Sequence, residues 1–114
     1  MKKMLTYCVD IDGTICDKPK DMWHDGDYSH SVPKIDRIEK INKLYDEGHT
    51  IIYLTARGMG RHRNSRMLAY QEFYNLTYNQ LKSWGCKFHE LHMGKPAADY
   101  YIDDKGVKDD TFFI

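Results

Sequence analysis

The first apolar run of the chain ends in two acids and a glycine. Leu5-Thr-Tyr-Cys-Val is followed by Asp10, Ile11, Asp12 and Gly13. The run predicts a buried strand over residues 4–9 that ends at Asp10, and Gly13 permits a sharp turn out of it. Open α/β sheets place their ligand sites at this end of the strands. The feature therefore favours a sheet with acids at its carboxyl edge, although the pattern Asp-x-Asp-Gly also occurs in calcium loops and ordinary turns.

The rest of the sequence alternates between helix and strand patterns. Apolar stripes predict a first helix that Ser31 caps and Gly48 ends, and a second helix over about residues 62–84. Apolar runs predict further strands over 50–54, 87–92 and 99–103. This alternation predicts an α/β fold with a mainly parallel sheet. We expect residues 1–114 to form a single Rossmann-like three-layer domain with a short flap after the first strand.

Several side chains are expected to pack rather than to react. An aromatic stripe in the second helix is predicted to face the core, and its members are Met67, Tyr70, Tyr74, Thr77, Leu81 and Trp84. Cys8 is assigned to the core and Cys16 to a turn, both as reduced thiols. His89 and His92 have no third ligand at zinc spacing and are interpreted as structural. Residues 111–114 are predicted to form an edge strand or a tail docked on the body.

Charge and hydropathy narrow the class of protein. Lys plus Arg and Asp plus Glu number 17 each, so no overall field draws the chain to nucleic acid or to an anionic membrane. No apolar run is long enough to span a bilayer, and the Met-Lys-Lys start leads directly into the first strand. We therefore expect a cytoplasmic protein without a membrane partner.

Three further polar groups end separate apolar runs: Thr55, Lys95 and the pair Asp103-Asp104. Together with Asp10-Ile-Asp-Gly-Thr14, this order resembles the haloacid dehalogenase superfamily of phosphotransferases. The start Asp-Ile-Asp-Gly-Thr-Ile and the stretch Thr55-Ala-Arg-Gly-Met59 are most similar to small phosphatases of capsule and surface-polysaccharide biosynthesis. The predicted helices and strands use all the residues between the motifs. The resemblance therefore implies the branch without a cap domain.

The resemblance also implies catalytic roles. Asp10 would attack phosphorus and form an aspartyl-phosphate intermediate. Asp12 would protonate the leaving group and then activate water. Thr55 and the backbone N–H groups after Asp10 would bind phosphoryl oxygens, and Lys95 would stabilise the developing charge.

Four carboxylates in one crevice repel one another unless cations accompany them. Mg²⁺ prefers oxygen ligands in octahedral geometry. The expected ligands are Asp10, the backbone carbonyl of Asp12, and Asp103. Asp104 is expected to bind through water or to brace Lys95.

Substrate contacts are less well defined by the sequence. Thr55, Ala56 and Lys95 are expected to line the substrate site. Arg57 follows at a strand end, where it is either a clamp for substrate or a solvated loop residue. Trp23, His24 and Tyr28 fall in the flap, where they either stack on a sugar or base or form a small packing cluster.

The predicted function is Mg²⁺-dependent hydrolysis of a phosphorylated sugar, polyol or capsular polysaccharide precursor. Nucleotide-linked or glycan-linked phosphate is also open as a substrate. An uncapped site admits large substrates, so a nucleic-acid or other macromolecular phosphatase is an alternative that neutral charge disfavours. A catalytically silent binding module is a second alternative. A receiver-like module is disfavoured, because its acceptor Asp would end the middle strand, where this chain has Thr55 or His92. A missing cap also suggests a homo-oligomer in which a neighbour closes the site.

Overall fold

The computed structural model describes residues 3–17 and 28–114. It contains five strands and three helices within these ranges. They are β1 (Thr6–Asp10), β2 (Cys16–Asp17), β3 (Val32–Pro33), α1 (Ile35–Asp46), β4 (Thr50–Thr55), α2 (Arg66–Ser83), β5 (Glu90–Met93) and α3 (Asp109–Phe112). Trp23 and His24, which the sequence assigns to the flap, lie outside the described residues.

The main sheet is parallel and has the order β1-β4-β5. Its centre is β4, a run rich in the β-branched and aromatic residues that favour strands. Asp10 pairs with Leu54, and Thr55 pairs with Met93. The carboxyl ends of all three strands therefore meet at one edge, as the alternating sequence pattern predicts.

A helical layer covers one face of this sheet. Both crossovers run in the same direction, from β1 to β4 and from β4 to β5, and such crossovers are right-handed, so α1 and α2 lie on the same face. Ile51 and Tyr53 are fully buried there, whereas Cys8 on the other face is exposed. The prediction that Cys8 is a core residue is wrong. The third layer predicted from the sequence is not seen in the described residues.

Helix α1 starts later than predicted. Its N-cap is Lys34, which makes no side-chain cap, and Pro33 pairs with Cys16 in the short β2–β3 hairpin. Ser31 lies before that hairpin strand and does not cap the helix. Gly48, with φ of 100°, follows the helix end as expected.

Helix α2 also starts later, because Arg63 and Asn64 have φ of 53° and 63° and cannot continue a right-handed helix. The Ser65 hydroxyl then caps it by accepting from the N–H of Leu68. The predicted aromatic stripe divides between two environments. Thr77 and Leu81 are buried, but Met67 is 66% exposed, and Tyr70 stacks on Tyr74 at the surface with ring centroids 4.6 Å apart.

Residues 99–103 do not form the predicted fourth strand. Ile102 is 96% exposed. Only residues 94–98 separate this segment from β5, and a crossover between parallel strands needs about a dozen residues. The connection is too short to carry the chain back to the start of the sheet.

The C-terminus docks on the body through α3 rather than as a strand. Phe112 and Phe113 pack against the core, and the Arg37 guanidinium donates to Asp109 at 2.8 Å. Of the two predictions for residues 111–114, the docked tail is confirmed. None of the helices in the described ranges is long and apolar enough to cross a membrane.

Candidate functional site

The carboxyl edge of the sheet brings Asp10 and Lys95 together. Lys95 Nζ lies 3.4 Å from Asp10 Oδ1, and the Lys95 N–H donates to the Thr55 carbonyl, which fixes the loop after β5 against the end of β4. Thr14 donates its hydroxyl to Asp10 Oδ2 at 3.1 Å. Burial raises the pKa of Asp10, and the Lys95 charge and the Thr14 hydrogen bond offset this only in part.

Asp12 is held by a second cation, Arg57. The two donors Nε and Nη2 of Arg57 lie 2.9 and 3.0 Å from the two Asp12 oxygens, Oδ2 and Oδ1. This is the bidentate fork that a guanidinium forms with a carboxylate. Asp12 keeps 34% of its side chain exposed, while the Arg57 side chain is fully buried. The acid therefore faces the solvent side of the pair.

The position of Arg57 fits neither sequence prediction, because its side chain is fully buried and is therefore neither a solvated loop residue nor placed to clamp substrate. Its guanidinium points inward, where Nη1 donates to Gln80 at 2.7 Å and to Thr77 at 3.2 Å. The guanidinium carbon lies 4.7 Å from the centre of the Tyr28 ring. A buried arginine is rare unless it is paired, and here the pair is with Asp12 rather than with an external anion.

Thr55 and Ala56 lie beside this pair at the end of β4. The Thr55 hydroxyl is buried and accepts from the Arg57 N–H at 3.1 Å. A threonine hydroxyl can still donate while it accepts, but Thr55 is only 1% exposed, so neighbouring residues cover its hydroxyl in this arrangement. The Ala56 carbonyl accepts from the Met59 N–H, which closes the loop after the strand.

The turn after β1 uses most of its own backbone donors. The N–H of Gly13 donates to the Cys16 carbonyl, and those of Thr14 and Ile15 donate to the Ile11 carbonyl. The expected phosphate contacts from the backbone after Asp10 are therefore not available from residues 13–15 in this arrangement.

Asp103 does not join the acids at the edge. The described residues contain no group of three or more His, Cys, Asp or Glu side chains placed to share a metal ion. Asp103 instead accepts from the N–H groups of Lys105 and Gly106, which lower its pKa. Asp103 and Asp104 are both exposed. As they stand, these residues do not fit the predicted Mg²⁺ ligand set.

One contact connects the Asp103 segment to the site. Lys95 Nζ lies 4.4 Å from the centre of the Tyr101 ring, and the Tyr101 hydroxyl donates to the Pro96 carbonyl. The chain around residue 101 therefore lies against the cation that pairs with Asp10. The acids at 103 and 104 follow directly along the chain.

Sequence reasoning missed several residues around Asp12. Thr77 and Gln80 belong to a helix predicted only for packing, although two polar residues three apart on its buried side are a signal for an internal polar partner. Cys16, assigned to a turn, is buried with Sγ 3.5 Å from Asp12 Oδ1. Burial, followed by the charge of Asp12, raises its pKa to about 12. Cys16 is therefore a thiol at neutral pH and packs beneath the acid.

The two histidines near β5 differ in their contacts. His89 Nδ1 accepts from the Ile51 N–H at 3.0 Å, and its ring stacks on Tyr45. The structural interpretation is therefore confirmed for His89, whose hydrogen bond with Ile51 continues the contact between β4 and the segment that leads into β5. His92 lies at the surface with Nε2 2.7 Å from Glu90.

Comparisons with known proteins identify a similar fold. No protein-family model matches the sequence, and no curated protein is similar to it at a significant level. The structure is similar to a crystal structure of a structural-genomics target from Vibrio cholerae, with a TM-score of 0.83 and 26% sequence identity. The match covers 96% of this chain and 88% of that chain. The α/β fold is thus shared along almost the whole length of both proteins.

Proposed function

We propose that the protein is a phosphomonoester hydrolase that works through an aspartyl-phosphate on Asp10. One observation carries the proposal: Lys95, distant in sequence, lies 3.4 Å from Asp10 at the carboxyl edge of a parallel sheet. The edge is where ligand sites of such sheets lie. A cation beside a desolvated carboxylate also favours entry of a phosphate dianion.

The first step transfers the phosphoryl group to the protein. An Asp10 oxygen attacks phosphorus, and the bond from phosphorus to the leaving oxygen breaks. The electron pair of that bond goes to the leaving oxygen, which takes a proton from Asp12. Asp12 is a carboxylate in its pair with Arg57, so it must first gain this proton from solvent on its exposed side. The products are an alcohol and a mixed anhydride of Asp10 with phosphate.

The second step restores the carboxylate. Water attacks the phosphorus of the anhydride, Asp12 takes the proton of that water, and the Asp10–phosphorus bond breaks. Inorganic phosphate leaves, Asp12 returns its proton to solvent, and both acids are again carboxylates. Lys95 would stabilise the charge that develops on the phosphoryl group in both steps. Thr55 is buried, so it would donate to a phosphoryl oxygen only after the bound phosphate displaces the residues that cover its hydroxyl.

Magnesium belongs to the proposal through the family resemblance. It would neutralise the phosphate and orient it for attack. Because Asp103 does not join Asp10 and Asp12 in the described residues, the steps above assign no ligand set to the metal. The proposal still predicts that activity requires Mg²⁺.

The substrate class also follows from the resemblance. We favour a phosphorylated sugar, polyol or capsular polysaccharide precursor as the substrate. The enzyme would be a single capless Rossmann-like domain that acts in the cytoplasm. An edge without a covering domain also suits a phosphate carried on a larger glycan or nucleotide.

Hydrolysis of p-nitrophenyl phosphate tests the proposal. The wild type should release nitrophenol, EDTA should abolish the release, and added Mg²⁺ should restore it. Asp10→Asn should lose activity while remaining folded, whereas Asp36→Asn, at an exposed acid of α1, should retain it. Turnover that survives Asp10→Asn would exclude Asp10 as the nucleophile.

The second candidate is a catalytically silent binding module. The exposed position of Asp103, apart from the other acids, favours it. Absence of turnover over a panel of phosphorylated metabolites with Mg²⁺ present, combined with binding of phosphate that Lys95→Ala removes, would support this function instead.

A further inference from the structure

The Arg57–Asp12 pair joins an accessible acid to an inaccessible cation. Arg57 is 1% exposed, and Asp12 has a third of its side chain open. No external ligand can reach the guanidinium without displacing the residues that cover it. Any effect of Arg57 on chemistry must therefore pass through Asp12.

The fork fixes the orientation of the Asp12 carboxylate as well as its position. Both carboxylate oxygens accept, one from Nε and one from Nη2, at 2.9 and 3.0 Å. A bidentate contact of this kind prevents rotation of the carboxylate about its bond to Cβ. A lysine at the same place would supply charge without this geometry.

The guanidinium is held from behind by other elements. Gln80 and Thr77 of α2 accept from Nη1, and Gln80 in turn donates to the Tyr28 carbonyl at 2.7 Å. The Tyr28 ring covers the guanidinium, and the Tyr28 hydroxyl accepts from the Gly58 N–H at 3.1 Å. Helix α2 and the segment at Tyr28 thus set the position of Arg57.

We propose that Arg57 is a positioning residue that orients Asp12 for proton transfer to the leaving group. The inference rests on the proposed function, in which Asp12 is the acid and base. Buried ion pairs are weak sources of stability, because apolar residues of similar volume often replace them without loss. Orientation of a reacting acid gives a functional reason for this one, since small misplacements of a catalytic group slow reactions strongly.

The test compares two phosphate esters with different leaving groups. An alkyl phosphate needs a proton at its leaving oxygen, whereas p-nitrophenyl phosphate needs little help because nitrophenolate is stable. Arg57→Lys should lower kcat/KM by about 100-fold for the alkyl ester and by less than about 10-fold for the aryl ester. Thr77→Val and Gln80→Met each remove an acceptor of Arg57 Nη1. Both should lower kcat/KM more for the alkyl ester than for the aryl ester, but by smaller factors than Arg57→Lys.

Circular dichroism and urea unfolding establish that each variant is folded. If Arg57→Lys does not fold, the two α2 variants decide the question. Equal losses for both esters, or no loss, in folded variants would overturn the positioning role. Failure of the proposed function has a different signature: the wild type would be inactive on both esters, or Asp10→Asn would remain active.

Discussion

Replacing Asp12 should destabilise the fold more than replacing Asp10, although both acids are assigned to catalysis. Asp12→Asn removes the charge that compensates a fully buried guanidinium. Removing one partner of a buried ion pair, while the other stays buried and charged, costs about 3–5 kcal/mol. Asp12 is 34% exposed, and asparagine keeps one acceptor oxygen, so we expect about 2–3 kcal/mol, at or below the lower end of that range.

The loss should be visible as a shift in urea unfolding. With a slope of about 1–2 kcal/mol per molar urea, 2–3 kcal/mol moves the midpoint by roughly 1–3 M. Asp10→Asn should change stability by less than about 1 kcal/mol, because its partner Lys95 is partly exposed and can turn to water.

A double variant distinguishes the cost of leaving the Arg57 charge unpaired from the cost of losing the Arg57–Asp12 contact. Asp12→Asn combined with Arg57→Met removes the buried cation as well, so it should be more stable than Asp12→Asn alone. The reasoning is refuted if Asp12→Asn unfolds within about 0.5 kcal/mol of the wild type, or if the double variant is the less stable of the two.

Three further predictions concern the packing around the site. Gly58→Ala should lower the free energy of unfolding in urea by about 2–4 kcal/mol, because φ of Gly58 is +78° and an added Cβ would lie 2.6 Å from the Phe73 ring. The control is Gly60→Ala in the same loop, where an added Cβ would have nothing within 4 Å. Equal losses in the two variants would contradict the close packing of Gly58 on Phe73. Ile102→Ala should stay within about 0.5 kcal/mol of the wild type while the fully buried Ile41→Ala loses about 2–5 kcal/mol; a large loss at Ile102 would mean that residues 99–103 pack as a strand after all. The hydrogen bond from Arg37 lowers the pKa of Asp109, so its stabilising contribution should be present above about pH 4 and be lost as pH falls through the lower folded-state pKa; a gap between wild type and Asp109→Asn that persists in acid would exclude this linkage.

Local patterns predicted the parts of the fold that depend on neighbouring residues. The parallel strands ending at Asp10 and Thr55 and the helix end at Gly48 follow from apolar period and glycine geometry, which operate over a few residues. The resemblance places Lys95 in the same site as Asp10, and the structure brings the two together at one edge of the sheet.

The errors arose where several elements had to be considered together. A fourth strand at 99–103 fits the local pattern, but the connection from β5 is too short for a parallel crossover. The assignment of Cys8 to the core assumed a helical layer on both faces of the sheet. The sequence places Arg57 in a loop, whereas its burial depends on Gln80 and Tyr28, which only the folded chain brings to it.

Detection of a phosphoryl group on Asp10 tests the central claim most directly. Enzyme mixed with substrate and Mg²⁺ is quenched in acid, digested and analysed by mass spectrometry. The account predicts a phosphorylated peptide that includes Asp10, absent in Asp10→Asn and lost on treatment with base, as expected of an acyl phosphate. Phosphate release at the wild-type rate with no modified peptide, or with the modification on a different residue, would contradict it.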